Sequence, residues 1–324
     1  MNVRIIENKS EIGAGTRGAS LGIDALKIAS IKKGIDLFEQ VPVLVVKDEN
    51  KLLFQQTPFK YAKNIDGIVR MYSKISSFVH SILRNEHFPL IISGDHSSAG
   101  GTIAGVKMAF PSKRIGVLWI DAHADLHTPF TTPSGNVHGM SLASVIGIDN
   151  QENQINPVSE QEAELWNILK NTGGVGKKIE PEDIVFVGLR SFEDQEQKLI
   201  ESYGMNTFDV ESMRTEGIKK STERVLKCFE QCDMIFLSFD VDSLDPSVSI
   251  GTGTPVVGGF FIEEMKEMID VLTKSNKISC MEITEVNPTL DHLNKMSEAV
   301  IEVLQIATKN LNKTDLSQWI SKIY

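Results

Sequence analysis

Short runs of β-branched and aliphatic residues alternate along this chain with longer stretches in which apolar positions recur every three or four residues. The short runs fall at residues 3–7, 42–46, 90–93, 115–120, 183–188, 206–209, 234–239 and 277–283. Each has an apolar core too short for a helix and so predicts a strand, most of them buried on both faces. The longer stretches predict helices at 21–33, 65–84, 160–169, 211–232, 261–274 and 295–311. Within 65–84, Ile68, Met71, Tyr72, Ile75, Phe78, Val79 and Ile82 draw one stripe suited to packing on a sheet. Alternation of this kind predicts an α/β fold in three layers, with helices on both faces of a mostly parallel, eight-stranded sheet. No Pro/Ser-rich or highly charged linker interrupts the pattern, so residues 1–324 are expected to form a single domain.

Composition narrows the function classes. With 41% hydrophobic and 23% charged residues, the chain can bury a sizeable core and is not disordered. A formal charge of −10 argues against a nucleic-acid surface. Three cysteines cannot build a disulfide framework, and the chain lacks an apolar leader or any run of 18 apolar residues. A cytoplasmic protein that neither binds nor spans a membrane is the expectation.

The chemistry concentrates at the ends of three predicted strands. The run 115–120 leads into Asp121-Ala122-His123-Ala124-Asp125, which sets a potential ligand at every second residue and so on one side of extended backbone. The run 234–239 leads into Asp240-Val241-Asp242, and 90–93 leads into Gly94-Asp95-His96. Strand ends of one sheet edge are where open α/β folds place their ligand crevices. Four carboxylates crowded together repel one another unless cations separate them. Together with two imidazoles and no cysteine, they suit two oxygen-preferring ions such as Mn²⁺ better than structural zinc.

Other marked residues carry less. Cys228 and Cys232, four apart on the predicted helix 211–232, have no His or Cys partner nearby and read as buried thiols. His80, His87 and His292 lack ligand-like neighbours, and the glycines at 173–176 lack the strand-before, helix-after setting of a nucleotide loop.

Four ordered segments give a resemblance: Gly94-Asp95-His96-Ser97, Asp121-Ala122-His123-Ala124-Asp125, Ser238-Phe239-Asp240-Val241-Asp242 and Glu282-Ile283-Thr284-Glu285-Val286-Asn287-Pro288. They resemble the successive signature blocks of the ureohydrolases, enzymes that cleave guanidino or formimino groups, over about residues 11–310. The resemblance implies two Mn²⁺ ions, with Co²⁺ or Fe²⁺ as substitutes. It implies that Asp121 and Asp240 bridge the pair, that His96 and Asp125 complete one site, and that His123 and Asp242 complete the other. It also implies a homo-oligomer, a trimer or hexamer, and a small guanidino substrate.

Within that family the loop Thr131-Thr132-Pro133-Ser134-Gly135-Asn136-Val137-His138-Gly139 is similar to that of the arginase branch. The likeness implies L-arginine cleaved to urea and L-ornithine by metal-bridging hydroxide. Thr132 and Ser134 would bind the substrate α-carboxylate, Asn136 would also bind the substrate, and Glu193 would contact its α-amino group. Thr254 would line the site, Glu285 would pair with the guanidinium, and Asp125 and His138 would carry protons. Glu282 would buttress the site. His127, expected near the carboxylate, stands where the branch usually has Asn, and Glu193 stands where Asp is usual. The alternatives are another ureohydrolase, such as an agmatinase, guanidinobutyrase or formimidoylglutamase, or a non-catalytic metal-binding homologue.

Overall fold

All eight short apolar runs form strands in the computed structural model, which describes residues 3–312. They are β1 (Val3–Asn8), β2 (Val43–Val46), β3 (Phe88–Ser93), β4 (Ile115–Ile120), β5 (Ile184–Val187), β6 (Asn206–Phe208), β7 (Met234–Asp240) and β8 (Ile278–Thr284). Every pairing is parallel and the order is β2-β1-β3-β8-β7-β4-β5-β6. The interior strands β3, β4, β5, β7 and β8 are buried along their whole length, whereas the edge strands β2 and β6 carry exposed positions. Continuous apolar runs inside and mixed ones at the edges are what a parallel sheet covered on both faces requires.

Two apolar cores separate the three layers. On one face Leu26, Val225, Met265, Ile269, Val300 and Leu304 come from the helices Gly22–Lys33, Ile218–Lys227, Ile262–Thr273 and Lys295–Leu311. On the other, Ile68, Tyr72, Ile103, Leu142 and Trp166 come from Ile65–Arg84, Ala99–Ala109, Ser141–Ile146 and Glu160–Lys170. Among the described residues, no helix is long and apolar enough to cross a membrane.

The helix predicted at 211–232 is two helices, Val210–Glu216 and Ile218–Lys227. Gly217 between them has φ 93°, a backbone conformation that favours glycine and breaks the helix. Cys228 and Cys232 therefore lie beyond the second helix rather than within one, Cys232 buried and both thiols free. The helices Ala99–Ala109 and Asp194–Tyr203 were not expected from periodicity. Nearly all of Ala99–Ala109 is buried, so it has no polar face to set off a stripe. Its Gly101 lies so close to the helix Ile65–Arg84 that a Cβ there would sit 2.8 Å from Tyr72 Cα.

β3 and β4 are consecutive in the chain, yet β8 and β7 are inserted between them. A crevice outside the C-terminal ends of these four central strands is the place such a topology offers a ligand.

Candidate metal centre

The three ligand-bearing segments converge at that edge. β4 pairs with β7 in a register that sets Ile120 opposite Phe239, so Asp121 and Asp240 follow side by side, and His96 follows β3 on the far side of β8. His96 Nδ1 lies 3.0 Å from Asp121 Oδ2 and 3.2 Å from Oδ2 of both Asp125 and Asp240. His123 Nδ1 lies 2.9 Å from Asp242 Oδ2 and 3.5 Å from Asp121 Oδ1. Asp121 thus turns one oxygen to each imidazole. Two groups able to hold an ion result, His96 with Asp121 and Asp240, and His123 with Asp121 and Asp242, their ligand atoms within 4.8 Å of one another.

Neighbouring groups fix these orientations. His96 Nε2 lies 2.7 Å from Ser238 Oγ, and the ring stacks on Trp119 at 4.0 Å between centroids. With its far nitrogen engaged, His96 presents Nδ1 to the carboxylates, the arrangement in which an outer hydrogen bond orients a ligand imidazole. Asp240 Oδ1 accepts the Asp242 N–H at 2.8 Å, and Asp242 Oδ1 accepts the Ala122 N–H at 3.1 Å. Thr254 Oγ1 donates to Asp242 Oδ2 at 3.1 Å. Ser93 Oγ donates to the buried Glu282 at 2.6 Å, which ties β3 to β8 beneath the cluster.

Electrostatics show what the cluster lacks as a bare set of side chains. Burial and then the charges of Asp242 and Asp121 push Asp240 well above the usual carboxylate range. Burial and Asp121 raise Asp242 to about 6. Burial works against charge on both imidazoles, but the carboxylates around them outweigh it, holding His96 well above the usual range and His123 at about 12. The cluster therefore retains protons that divalent cations would displace. His96 Nδ1 is buried with Asp121 Oδ2 3.0 Å away and one oxygen each of Asp125 and Asp240 at 3.2 Å. Three carboxylate oxygens converging on one imidazole nitrogen, an all-oxygen-and-nitrogen donor set, fit a divalent ion in place of the proton.

A cavity of about 270 Å³ opens on this cluster. All six residues named as ligands line it, together with His127, Thr132, Ser134, Asn136, His138, Glu193 and Thr254. Glu285 is not part of the lining. Its Oε1 accepts the His96 N–H at 3.0 Å and faces His138 Nδ1 at 3.1 Å. Burial opposes charge on His138, yet that bond to Glu285 holds its pKa up at about 9. None of His80, His87 or His292 lines the cavity.

The cavity rim is built by loops. Thr132 Oγ1 accepts the N–H groups of Gly135 and Ser134 at 2.9 and 3.3 Å, and Ser134 Oγ accepts the Asn136 N–H at 3.1 Å. Gly135 has φ 77°, and a Cβ there would lie 2.1 Å from the Lys60 carbonyl oxygen, so the turn demands glycine. Opposite, His127 Nε2 lies 2.8 Å from Glu193 Oε2 and 3.4 Å from Glu196 Oε2. His127, Glu193 and Glu196 form a third group with ligand-like spacing. Both oxygens of Glu196 already accept backbone N–H groups, from Leu126 at 2.9 Å and Glu193 at 3.1 Å, so this group is a hydrogen-bonded rim. The bond from His127 holds the Glu193 carboxyl low, at about 2, while burial pushes Glu196 up to about 7.

Sequence reasoning passed over Ser191 and Glu196, which also line the cavity, and Ser238, which holds His96. Ser191 lies four residues past the end of β5, bridged to His123 beyond the regular strands, and Ser238 stands two residues before Asp240 on the same strand. Reading every second residue back from the strand end would have found Ser238, while nothing in the spacing marks Ser191.

Residues 2–308 match the Arginase family. The arginase of Bacillus subtilis is 32% identical over 308 residues, covering 94% of this chain and 96% of that protein. The crystal structure of the arginase from Bacillus caldovelox superposes with a TM-score of 0.81 at 30% identity, covering 95% of this chain and 98% of that one. The formimidoylglutamase of B. subtilis, at 20% identity and a TM-score of 0.72, shares the fold. The match along nearly the whole chain, on a sheet whose central strand ends gather the ligand set just described, places this protein in the arginase family of hydrolases that cleave amidine and guanidino groups.

Proposed function

We propose that this chain hydrolyses the guanidinium of L-arginine to urea and L-ornithine, with two Mn²⁺ ions as cofactor. One observation carries the reading: the two oxygens of Asp121 are divided between two imidazole-containing ligand groups at one cavity floor. In this reading Asp121 and Asp240 would be shared between the two ions, with His96 and Asp125 holding one and His123 and Asp242 the other. A pair of divalent ions bound there supplies Lewis acidity, which activates water at neutral pH and stabilises charge developing at the attacked carbon.

The chain's own groups supply the rest. His138, anchored at Nδ1 by Glu285, lines the cavity, and that bond holds its pKa up, which suits it to donate a proton to the departing amine. Asp125, beside His96, is the acceptor for a proton from the attacking water. Glu285, expected to pair with the guanidinium, lies outside the cavity lining and instead sets the orientation of the His138 ring. At the rim the hydroxyls of Thr132 and Ser134 and the amide of Asn136 suit a substrate carboxylate, because each retains a hydrogen to donate. Glu193 receives the α-ammonium. The arginases compared share 27–32% of this sequence while a formimidoylglutamase shares 20%, which favours arginine over the other guanidino and formimino substrates.

Urea release from L-arginine and from agmatine, assayed in parallel on protein stripped of metal and reloaded with Mn²⁺, tests the reading. Urea from L-arginine, absent without metal and restored by Mn²⁺, with agmatine turned over at least about tenfold less efficiently, is expected because agmatine has no carboxylate for the rim. A preference for agmatine would overturn the substrate. Urea from neither would overturn the arginine reading and turn the search to other guanidino or formimino compounds or to a non-catalytic role.

A further inference from the structure

The two rim positions where this chain differs from the usual arginase pattern, His127 and Glu193, are bonded to each other. His127 Nε2 lies 2.8 Å from Glu193 Oε2. On the other side of the ring, His127 Nδ1 lies 3.3 Å from Thr131 Oγ1. That hydroxyl oxygen also accepts the Thr128 N–H at 3.0 Å, and the Glu193 carboxylate can only accept, so Nε2 carries the hydrogen that joins ring and carboxylate. The imidazole is thereby set as a donor through Nε2, aimed at Glu193 and not at a substrate carboxylate. His127 is buried, and its backbone N–H is bonded to the Gly139 carbonyl at 3.0 Å, so the ring has a fixed base.

Glu193 needs such a hold. Its side chain is 53% exposed, at the N-terminal cap of the helix Asp194–Tyr203, and it is one methylene longer than the Asp usual there. Left alone, that side chain would sample several rotamers, and each carries an entropic cost when a ligand immobilises it. The Glu196 carboxylate fixes the Glu193 backbone N–H at 3.1 Å, and the His127 ring fixes its carboxylate. Together they bring the longer side chain to the cavity wall.

We infer that His127 is a positioning residue that holds Glu193 as the acceptor for the ammonium of an α-amino acid substrate, so that the His127–Glu193 pair selects substrates carrying that ammonium. The inference rests on the arginine reading above. Its signature is a preference for L-arginine over the same molecule without its amino group, 5-guanidinopentanoate, a preference that depends on His127.

The test compares kcat/KM for L-arginine and 5-guanidinopentanoate in the Mn²⁺-loaded wild type and in His127→Ala and His127→Gln variants. A charge-assisted hydrogen bond corresponds to a factor of roughly ten to a hundred. The wild type should favour L-arginine by that order, His127→Ala should lose most of the preference, and His127→Gln, which keeps an amide N–H near the Nε2 position, should recover part of it. A wild type indifferent to the amino group, or a His127→Ala variant that weakens both substrates equally, would overturn the inference while leaving the arginine reading intact. A wild type releasing urea from neither substrate would remove the reading itself, and the inference with it.

Discussion

The floor and the rim of the cavity are built on different principles. At the floor, His96, Asp121, Asp240 and Asp242 are buried at the ends of interior strands, their positions set by the register of the sheet and by bonds such as that between His96 and Ser238. At the rim, Ser134 and Glu193 are exposed, and they stand on loops held by a hydroxyl-capped turn and a His–Glu bond. The floor carries every ligand the family pattern asks for, while both departures from that pattern lie at the rim. In the proposed reading, strand ends fixed in a packed sheet hold the reaction chemistry, and loops that can be rebuilt without disturbing the core hold the recognition of what lies beyond the guanidinium.

If the two regions are separable, substitutions should sort them. The larger effect is expected at the floor. Replacing Ser238 with Ala removes the bond that orients His96 without touching the cavity, and metal affinity should fall by roughly ten- to a hundredfold. Metal titration followed by calorimetry would read this directly, and the KM for L-arginine at saturating Mn²⁺ should stay close to that of the unaltered chain. A smaller effect is expected at the rim. Ser134→Ala removes one hydroxyl from the carboxylate end and should raise the KM for L-arginine by roughly tenfold, the weight of one hydrogen bond to a charged group, with metal affinity unchanged. Loss of metal in Ser134→Ala, or a raised KM in Ser238→Ala at full occupancy, would show that floor and rim act as one unit.

The same division explains what the sequence made legible. The strands could be read because parallel strands covered on both faces are near-continuous apolar runs, and 115–120 and 234–239 have no other interpretation. The ligands could be read because ionisable residues directly after such runs contradict the surrounding pattern. The helix Ala99–Ala109 could not, since burial on all sides erases amphipathic periodicity, and the break at Gly217 was hidden within a stretch that is apolar on one face throughout. The rim was legible only as residue types. Nothing in the spacing of His127 and Glu193, 66 residues apart, announces that their side chains meet. Glu285 shows the same limit, for its bond to His138 joins the end of β8 to a loop 147 residues earlier.

The most direct test of the central claim is the number of ions that the metal-stripped chain takes up, measured by elemental analysis after reloading with Mn²⁺ and removing excess ion. Two ions per chain, with urea release from L-arginine rising as they bind, is the result predicted by an Asp121 shared between two ligand groups. Fewer than about one ion per chain, or urea release indifferent to the metal, would contradict it.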